Sequence, residues 1–335
     1  MPDINALRAR ISTSLTDGRI NATEAKGLID AANQGGLTPE AKALLQSTVS
    51  RYQSRFDPDA ATLMKNFLST PAPAPGPVSV TRRDLADPTV LKEHANVAKY
   101  VWNDAGQLYV DGITSDDVIQ GQIANCYMVS SFAAVANKDP DAIKKAIKDN
   151  GDGTFTVSLY EKSSYGDPKQ VQVTVDGQQL TGTHYAHARD KNELWVEVLE
   201  KAFAQWKGGF EAIGHGGSPG EVIGAITGRR DSYIGLGQYA QPDQVFEQIK
   251  TALDAGKTGC AATYGEDQQA MYAGTNLYAW HSYTLMGTAE ENGEKYVVLR
   301  NPWGEVEPGN DGKDDGVFKL KLADFMKFYA GVYLA

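Results

Sequence analysis

Four prolines at alternate positions, Pro71, Pro73, Pro75 and Pro77, set small residues between them in the run PAPAPGP. Proline fixes its own φ, so such a run favours extended polyproline geometry and acts as a semi-stiff spacer. It predicts a division of the chain into a segment at 1–70, a linker at 71–79 and a main body from residue 80. The length of 335 residues agrees with two domains, or three. Charge divides at the same place. Residues 1–70 carry eight Lys/Arg against seven Asp/Glu, whereas the whole chain has a net charge of −10. The main body therefore holds the acidity.

Composition narrows the function classes. Hydrophobic residues at 41% and charged residues at 22% are ordinary for a globular protein. No run of eighteen apolar residues occurs, so no membrane-spanning helix is expected. The first residues, MPDINALRARISTSLTDGR, lack an apolar core of the Sec type, which predicts a cytoplasmic protein or one exported by a Sec-independent route. Cys126 and Cys260 are the only cysteines, too few for a disulfide framework or a Cys-rich zinc site. The acidic balance argues against nucleic acid and anionic membrane as partners.

Residues 1–70 read as helical, with Leu28, Ile29 and Ala32 on one face and Leu44, Leu45 and Val49 on another. Asp17 to Glu24 is like the second half of an EF-hand loop, but Thr13 and Leu15 stand where oxygen ligands are needed, so a helix–turn–helix is expected. Within residues 80–228, Asn125 to Ala136 and Leu194 to Trp206 have helical spacing, and Phe155–Tyr160 and Val171–Val175 alternate as strands. Residues 229–335 read as strand-rich after one helix near 243–254, with strands at 282–287, 295–300 and 317–322.

Three segments carry chemistry. Cys126 opens an apolar helix, where the positive helix end favours thiolate and lowers the thiol pKa. Taken alone, a cysteine here is more often a buried small hydrophobe. His281 stands at the start of a strand, suited to a base of near-neutral pKa, though a lone His also reads as a satisfied core or surface residue. Asn301 follows the apolar strand YVVL, where a side-chain amide can fix an imidazole tautomer and Trp303 can shield that bond from water. On its own Asn301-Pro302 is a turn.

Taken in order, these segments resemble the calpain family of papain-like cysteine proteases. The resemblance rests on Gln120-Gly121 before Cys126, on His281-Ser282-Tyr283, and on Asn301-Pro302-Trp303-Gly304 with Glu307. Leu194-Trp195 through Phe203, Gly209-Phe210-Glu211-Ala212 and Ala225-Ile226-Thr227-Gly228 match further family segments, and the likeness spans about residues 80–335. It implies an α+β fold: a papain-like core with a helical first lobe (80–228) and a β-rich second lobe (229–335), preceded by a small all-α domain. It implies a cysteine endopeptidase acting on protein or peptide substrates, with Cys126, His281 and Asn301 as the triad and Gln120 as oxyanion donor. Trp303 and Tyr127 would support the site. Tyr127 departs from the family's usual Trp, and Ala124-Asn125 from its usual Gly-Asp. The EF-hand and lipid-binding domains of animal calpains are not expected, and the segment at 1–70 would bind a partner or inhibit the core.

The resemblance also implies calcium. Val110, Gly112, Asp117 and Glu193 fall on the positions of one site, and Glu307 and Asp315 on those of a second, with Asp311 or Asp314 as substitutes. Ser115 and Val317 stand where the family pairs an Arg with a Glu across the cleft, so that coupling is expected to be absent. Two other classes remain open: a protease-fold binding module without turnover, and a cysteine acyltransferase of transglutaminase type. Elsewhere, His184 and His187 read as structural, His94 and His215 as surface residues, and Cys260 as a core thiol.

Overall fold

A computed structural model describes residues 4–15, 18–33, 38–69, 82–163, 166–309 and 312–335. The proline run, Asp17 and Asp311 lie outside the described residues. Two compact units separate: Met1–Val80 with the short segment Val110–Gly112, and Thr81–Tyr109 with Ile113–Ala335.

Among the described residues the first unit holds four α-helices: α1 (Ile4–Ser14), α2 (Ala22–Ala32), α3 (Pro39–Arg51) and α4 (Pro58–Ser69). Their starts follow from local chemistry. Asn21 accepts the Thr23 and Glu24 N–H groups at 2.9 and 3.1 Å, and Glu24 accepts the Asn21 N–H at 3.0 Å, a closed capping box. Glu24, the residue that would close a cation loop, is thus engaged in capping. Thr38 caps α3 by accepting the Ala41 N–H at 3.2 Å, and Pro39 sits at the first helical position. The α1–α2 and α3–α4 connections meet where the Ile20 N–H donates to Arg55 O at 2.8 Å and the Asp57 N–H donates to Ile20 O at 3.0 Å. Leu7, Leu28, Leu45 and Met64 fill the core between the helices.

The second unit is α+β. In chain order it runs β1 (Tyr100–Trp102), β2 (Val118–Ile119), α5 (Cys126–Lys138), α6 (Pro140–Ala146), β3 (Ile147–Asp149), β4 (Thr154–Glu161), β5 (Lys169–Asp176), β6 (Gln178–Leu180), β7 (His187–Ala188), α7 (Trp195–Lys207), α8 (Phe210–Ile213) and α9 (Pro219–Thr227). Then come β8 (Ser232–Gly235), α10 (Pro242–Asp254), β9 (Gly259–Thr263), β10 (Ser282–Glu291), β11 (Glu294–Arg300), β12 (Val317–Lys321), α11 (Leu322–Phe328) and β13 (Tyr329–Leu334). An antiparallel sheet in the order β12-β11-β10-β9-β13-β8 dominates the second half, while β3-β4-β5 and two ribbons, β1-β6 and β2-β7, serve the first.

Two apolar cores follow from this layout. One surrounds α5 and α7 and contains Phe132, Trp195, Leu199 and Phe203; the other contains Phe246, Tyr283, Leu299, Phe325 and Tyr329. Helix α5 is buried on nearly every side, and its small residues let strand β10 approach closely. Ser130 Oγ lies 2.8 Å from Ser282 Oγ, and Thr284 Oγ1 donates to Ser130 O at 2.7 Å. This seam fixes the start of α5 against the start of β10, which is where the chemistry sits.

Helix α11 has no counterpart in the strand reading of 317–322 and beyond. Its seven residues bury Leu322, Phe325 and Phe328, a spacing of three over too short a stretch to register as a helical period.

Candidate active site

Cys126, His281 and Trp303 line one cleft of about 950 Å³, together with Gln120, Tyr127 and Gly217. Each arrives by a different route. Cys126 is the first residue of α5, His281 immediately precedes β10, and Asn301 immediately follows β11. Strands β10 and β11 are antiparallel neighbours, with Thr284 opposite Arg300. That register brings His281 and Asn301 together although twenty residues separate them.

His281 Nε2 lies 3.0 Å from Asn301 Oδ1. The other end of the amide, Asn301 Nδ2, donates to Val306 O at 2.9 Å. The amide is thereby committed: its oxygen faces the imidazole, so His281 Nε2 carries the proton and donates. Nδ1 is left as the acceptor nitrogen of the neutral ring. Val306 reaches its position in the left-handed region, at φ +59°, with its N–H held by Asp314 Oδ1 at 3.0 Å. A β-branched residue is costly there, and the strain is spent on aiming one carbonyl at Asn301.

Aromatic rings box the imidazole. Its centroid lies 4.8 Å from Trp303 and 4.9 Å from Tyr283, which it meets at 90°. His281 and Asn301 are both buried. Burial pushes the imidazole pKa down to about 4, against the pull of Asn301. Cys126 is buried as well, and desolvation pushes its thiol up to about 11 despite backbone N–H groups from Ser282 and Tyr127. The sequence predicts a lowered thiol pKa from the helix end. A helix end supplies only about 0.3–2 kcal/mol, and removal from water outweighs it. Both shifts favour the uncharged thiol and the uncharged imidazole.

Gln120 is anchored by two bonds of its own. Its N–H donates to Pro302 O at 2.8 Å, and its side-chain Nε2 donates to Ile123 O at 2.9 Å. Gln122 N–H, two residues on, donates to His184 O at 2.8 Å. An amide nitrogen carries two protons, so one remains beyond the Ile123 bond. Tyr127 donates its hydroxyl to Ile213 O at 3.3 Å and sets its ring against Gly217, where a side-chain carbon would overlap it.

Several contributors escape sequence reasoning. Asn125, fully buried before Cys126, donates to Glu200 Oε1 at 2.6 Å, and Glu200 also accepts the Ala186 N–H at 3.1 Å. Asn125, where the resemblance expects Asp, thus donates to the buried Glu200 carboxyl. Arg300, also fully buried, donates to Val118 O at 2.9 Å, and Arg189 donates to Gly304 O at 3.2 Å. These guanidinium bonds cross between the first and second halves of the unit. Nothing in the local pattern around Arg189 or Arg300 signals a partner more than a hundred residues away. His94, expected at the surface, is instead buried against Tyr185 Oη at 3.2 Å and stacks near His184 at 4.4 Å; His215 is exposed beside Glu211. Cys260 is buried in β9.

Glu200 yields a pH prediction. Burial pushes its pKa up to about 8, and it does the same to Glu197. A carboxyl raised in the fold holds its proton where the unfolded chain has lost it, so stability falls as pH rises from about 4.5 to about 8. Glu200→Gln keeps an acceptor for Asn125 but removes that slope. The difference in Tm between variant and parent is expected to move in the variant's favour by several degrees from pH 5 to pH 8. A difference that stays constant would contradict a protonated Glu200.

Several of the residues expected to bind cations have other partners. Asp117 accepts from Thr114 N–H at 2.6 Å and Thr114 Oγ1 at 2.9 Å, and Glu193 is buried. In the second set, Asp315 accepts the Val317 N–H at 3.0 Å, Asp314 accepts Val306 N–H, and Glu307 is buried with its carbonyl accepting from Asn276. The Asp314 and Asp315 carboxylates serve turns, and Val317 adds no oxygen side chain, so the second set offers few of the oxygens a cation cage needs. No group of three or more His, Cys, Asp or Glu suited to a metal occurs among the described residues. No helix among them is long and apolar enough to cross a membrane.

The sequence pattern of the calpain family cysteine proteases matches residues 93–311, a span that contains the cysteine, histidine and asparagine just described. This chain belongs to the calpain family. Calpain-9 of Mus musculus is 27% identical over 267 residues, covering 68% of this chain and 38% of that protein. Calpain-8 of Homo sapiens is 30% identical over 225 residues, covering 62% and 31%, and the calpain-2 catalytic subunit of Homo sapiens is 28% identical over 262 residues, covering 67% and 36%. The chain thus spans about a third of the length of these calpains. The calpain assignment carries a protease domain of mixed α+β structure; it leaves the helical unit unmatched, since the family pattern begins at residue 93.

Proposed function

We propose that this protein is a cysteine endopeptidase whose nucleophile is Cys126. The observation that carries the proposal is the committed amide of Asn301, which orients a neutral His281 in the cleft that Cys126 lines. In the mechanism, His281 Nδ1 takes the thiol proton as Cys126 Sγ attacks the peptide carbonyl carbon. The resulting imidazolium keeps its Nε2–H on Asn301 and gives the new proton to the leaving amine. A thioester remains on Cys126. Water, deprotonated by His281, then attacks it and regenerates the thiol. The oxyanion receives the remaining N–H of Gln120 and the N–H of Cys126. Trp303 and Tyr283 keep water from the His281–Asn301 bond.

In this proposal residues 80–228 and 229–335 act as the two lobes, and residues 1–70 with the linker 71–79 bind a partner or restrain the core. The Arg300, Arg189 and Gln120 bonds supply the contacts between lobes that the absent Arg/Glu pair at 115 and 317 would have made. Hydrolysis is therefore expected to persist in chelator.

The test is incubation with an unfolded protein substrate plus a small primary amine, with products resolved by mass. Fragments ending in free carboxylates support the endopeptidase; amine adducts or crosslinks without cleavage favour acyl transfer, and no reaction favours the binding module. Gln120→Ala is expected to fold normally and to lose about 10²–10³-fold in kcat, the usual loss for one oxyanion donor. Unchanged turnover would remove Gln120 from the site.

A further inference from the structure

Trp280, the residue before His281, is held in a conformation that its side chain disfavours. Its backbone lies in the left-handed region at φ +51°, where a bulky residue is an outlier. The bend is pinned on both sides: Trp280 N–H donates to Tyr264 O at 2.6 Å, and His281 N–H donates to Thr263 Oγ1 at 2.9 Å. Such strain persists only where the surroundings enforce it, and it gathers at functional sites.

The result is an indole projected into the cleft. Trp280 is 48% exposed, yet one edge lies over Gly216 so closely that a side-chain carbon there would come within 2.9 Å of its ring. Gly216 is itself tied to the nucleophile's loop, donating its N–H to Ala124 O at 2.8 Å. The next residue, Gly217, is pressed by the Tyr127 ring. Trp280, Gly216, Gly217 and Cys126 all line the same cleft. An exposed tryptophan that meets a glycine strip beside Cys126 takes up space in the cleft at that point. The glycines permit the approach, and the indole sets its height.

We propose that Trp280 determines substrate specificity: it restricts the passage past Cys126 to an extended peptide carrying a small side chain, such as that of glycine, alanine or serine, where the peptide crosses Gly216. Larger side chains at that point collide with the indole. This rests on the reading of Cys126 as nucleophile, and the test separates the two. Removing the indole with Trp280→Gly also relieves the left-handed strain, because glycine populates positive φ freely.

The experiment uses the full chain and its Trp280→Gly variant with two peptidyl chloromethyl ketones that differ only in carrying an alanine or a phenylalanine side chain next to the reactive group. A second pair moves that difference one residue away. Each rate of Cys126 alkylation, read by intact mass, is divided by the iodoacetamide rate of the same protein. In at least one pair the parent is expected to prefer the alanine reagent by tenfold or more, and the variant to bring that preference within twofold. Equal preferences in parent and variant for both pairs would overturn the specificity role. A Cys126 that reacts with neither iodoacetamide nor any peptidyl reagent would instead overturn the nucleophile reading, and the specificity role with it.

Discussion

Cys126→Ala is expected to abolish peptide hydrolysis, with a loss of roughly a millionfold as seen when the nucleophile of a hydrolytic triad is removed. The loss should leave the fold in place. Cys126 is already a small buried group, and alanine continues the run of small residues by which α5 meets β10. The matching control is Cys260→Ala. That thiol is also buried and its pKa is pushed up to about 12, but it lies in β9 against Ser131 Oγ, 3.7 Å away, and is not among the residues that line the cleft of Cys126 and His281. Turnover should survive this second change. Equal losses from both substitutions would mean that the effect is on packing rather than on chemistry.

Gly121→Ala carries the second large effect. A side-chain carbon at Gly121 would overlap the backbone of His184 and Tyr185, which has no flexible end to yield. The chain must move, and Gln120 and the approach to Cys126 move with it. Overpacking of this kind costs about 1–3 kcal/mol in stability. A displacement on the order of 1 Å at a catalytic group costs about 100-fold in rate. Gly237→Ala is the control, since nothing lies within 4 Å of a side-chain carbon at that position. Gly121→Ala with the turnover and Tm of the parent would remove this crossing from the account.

The elements that bring the site together were legible as local patterns. The apolar run after Cys126 gave α5, and the strands that flank His281 and Asn301 gave β10 and β11 within a few residues at their ends. Each of these is a continuous segment with its own period, which is what a sequence displays. What the sequence hid is contact between distant segments. Nothing near Arg300 announces that its guanidinium reaches Val118 O, and nothing near Asn125 announces Glu200. Backbone conformation was hidden too, since Val306 and Trp280 are residue types that ordinarily avoid positive φ. The thiol pKa went the other way from its local expectation because burial is set by the whole fold, whereas the helix end is a local feature.

These hidden features share a purpose: they hold an uncharged histidine and a buried thiol in place without a charged partner for either. Cys126 and His281 are therefore expected to act as one unit. Intact mass after exposure to a peptidyl epoxide, comparing the parent chain with His281→Ala, tests this. A single adduct on Cys126 is expected in the parent, none on Cys260, and loss of labelling when His281 is replaced. An adduct that forms on Cys126 at the same rate without His281, or that forms on Cys260 instead, would contradict it.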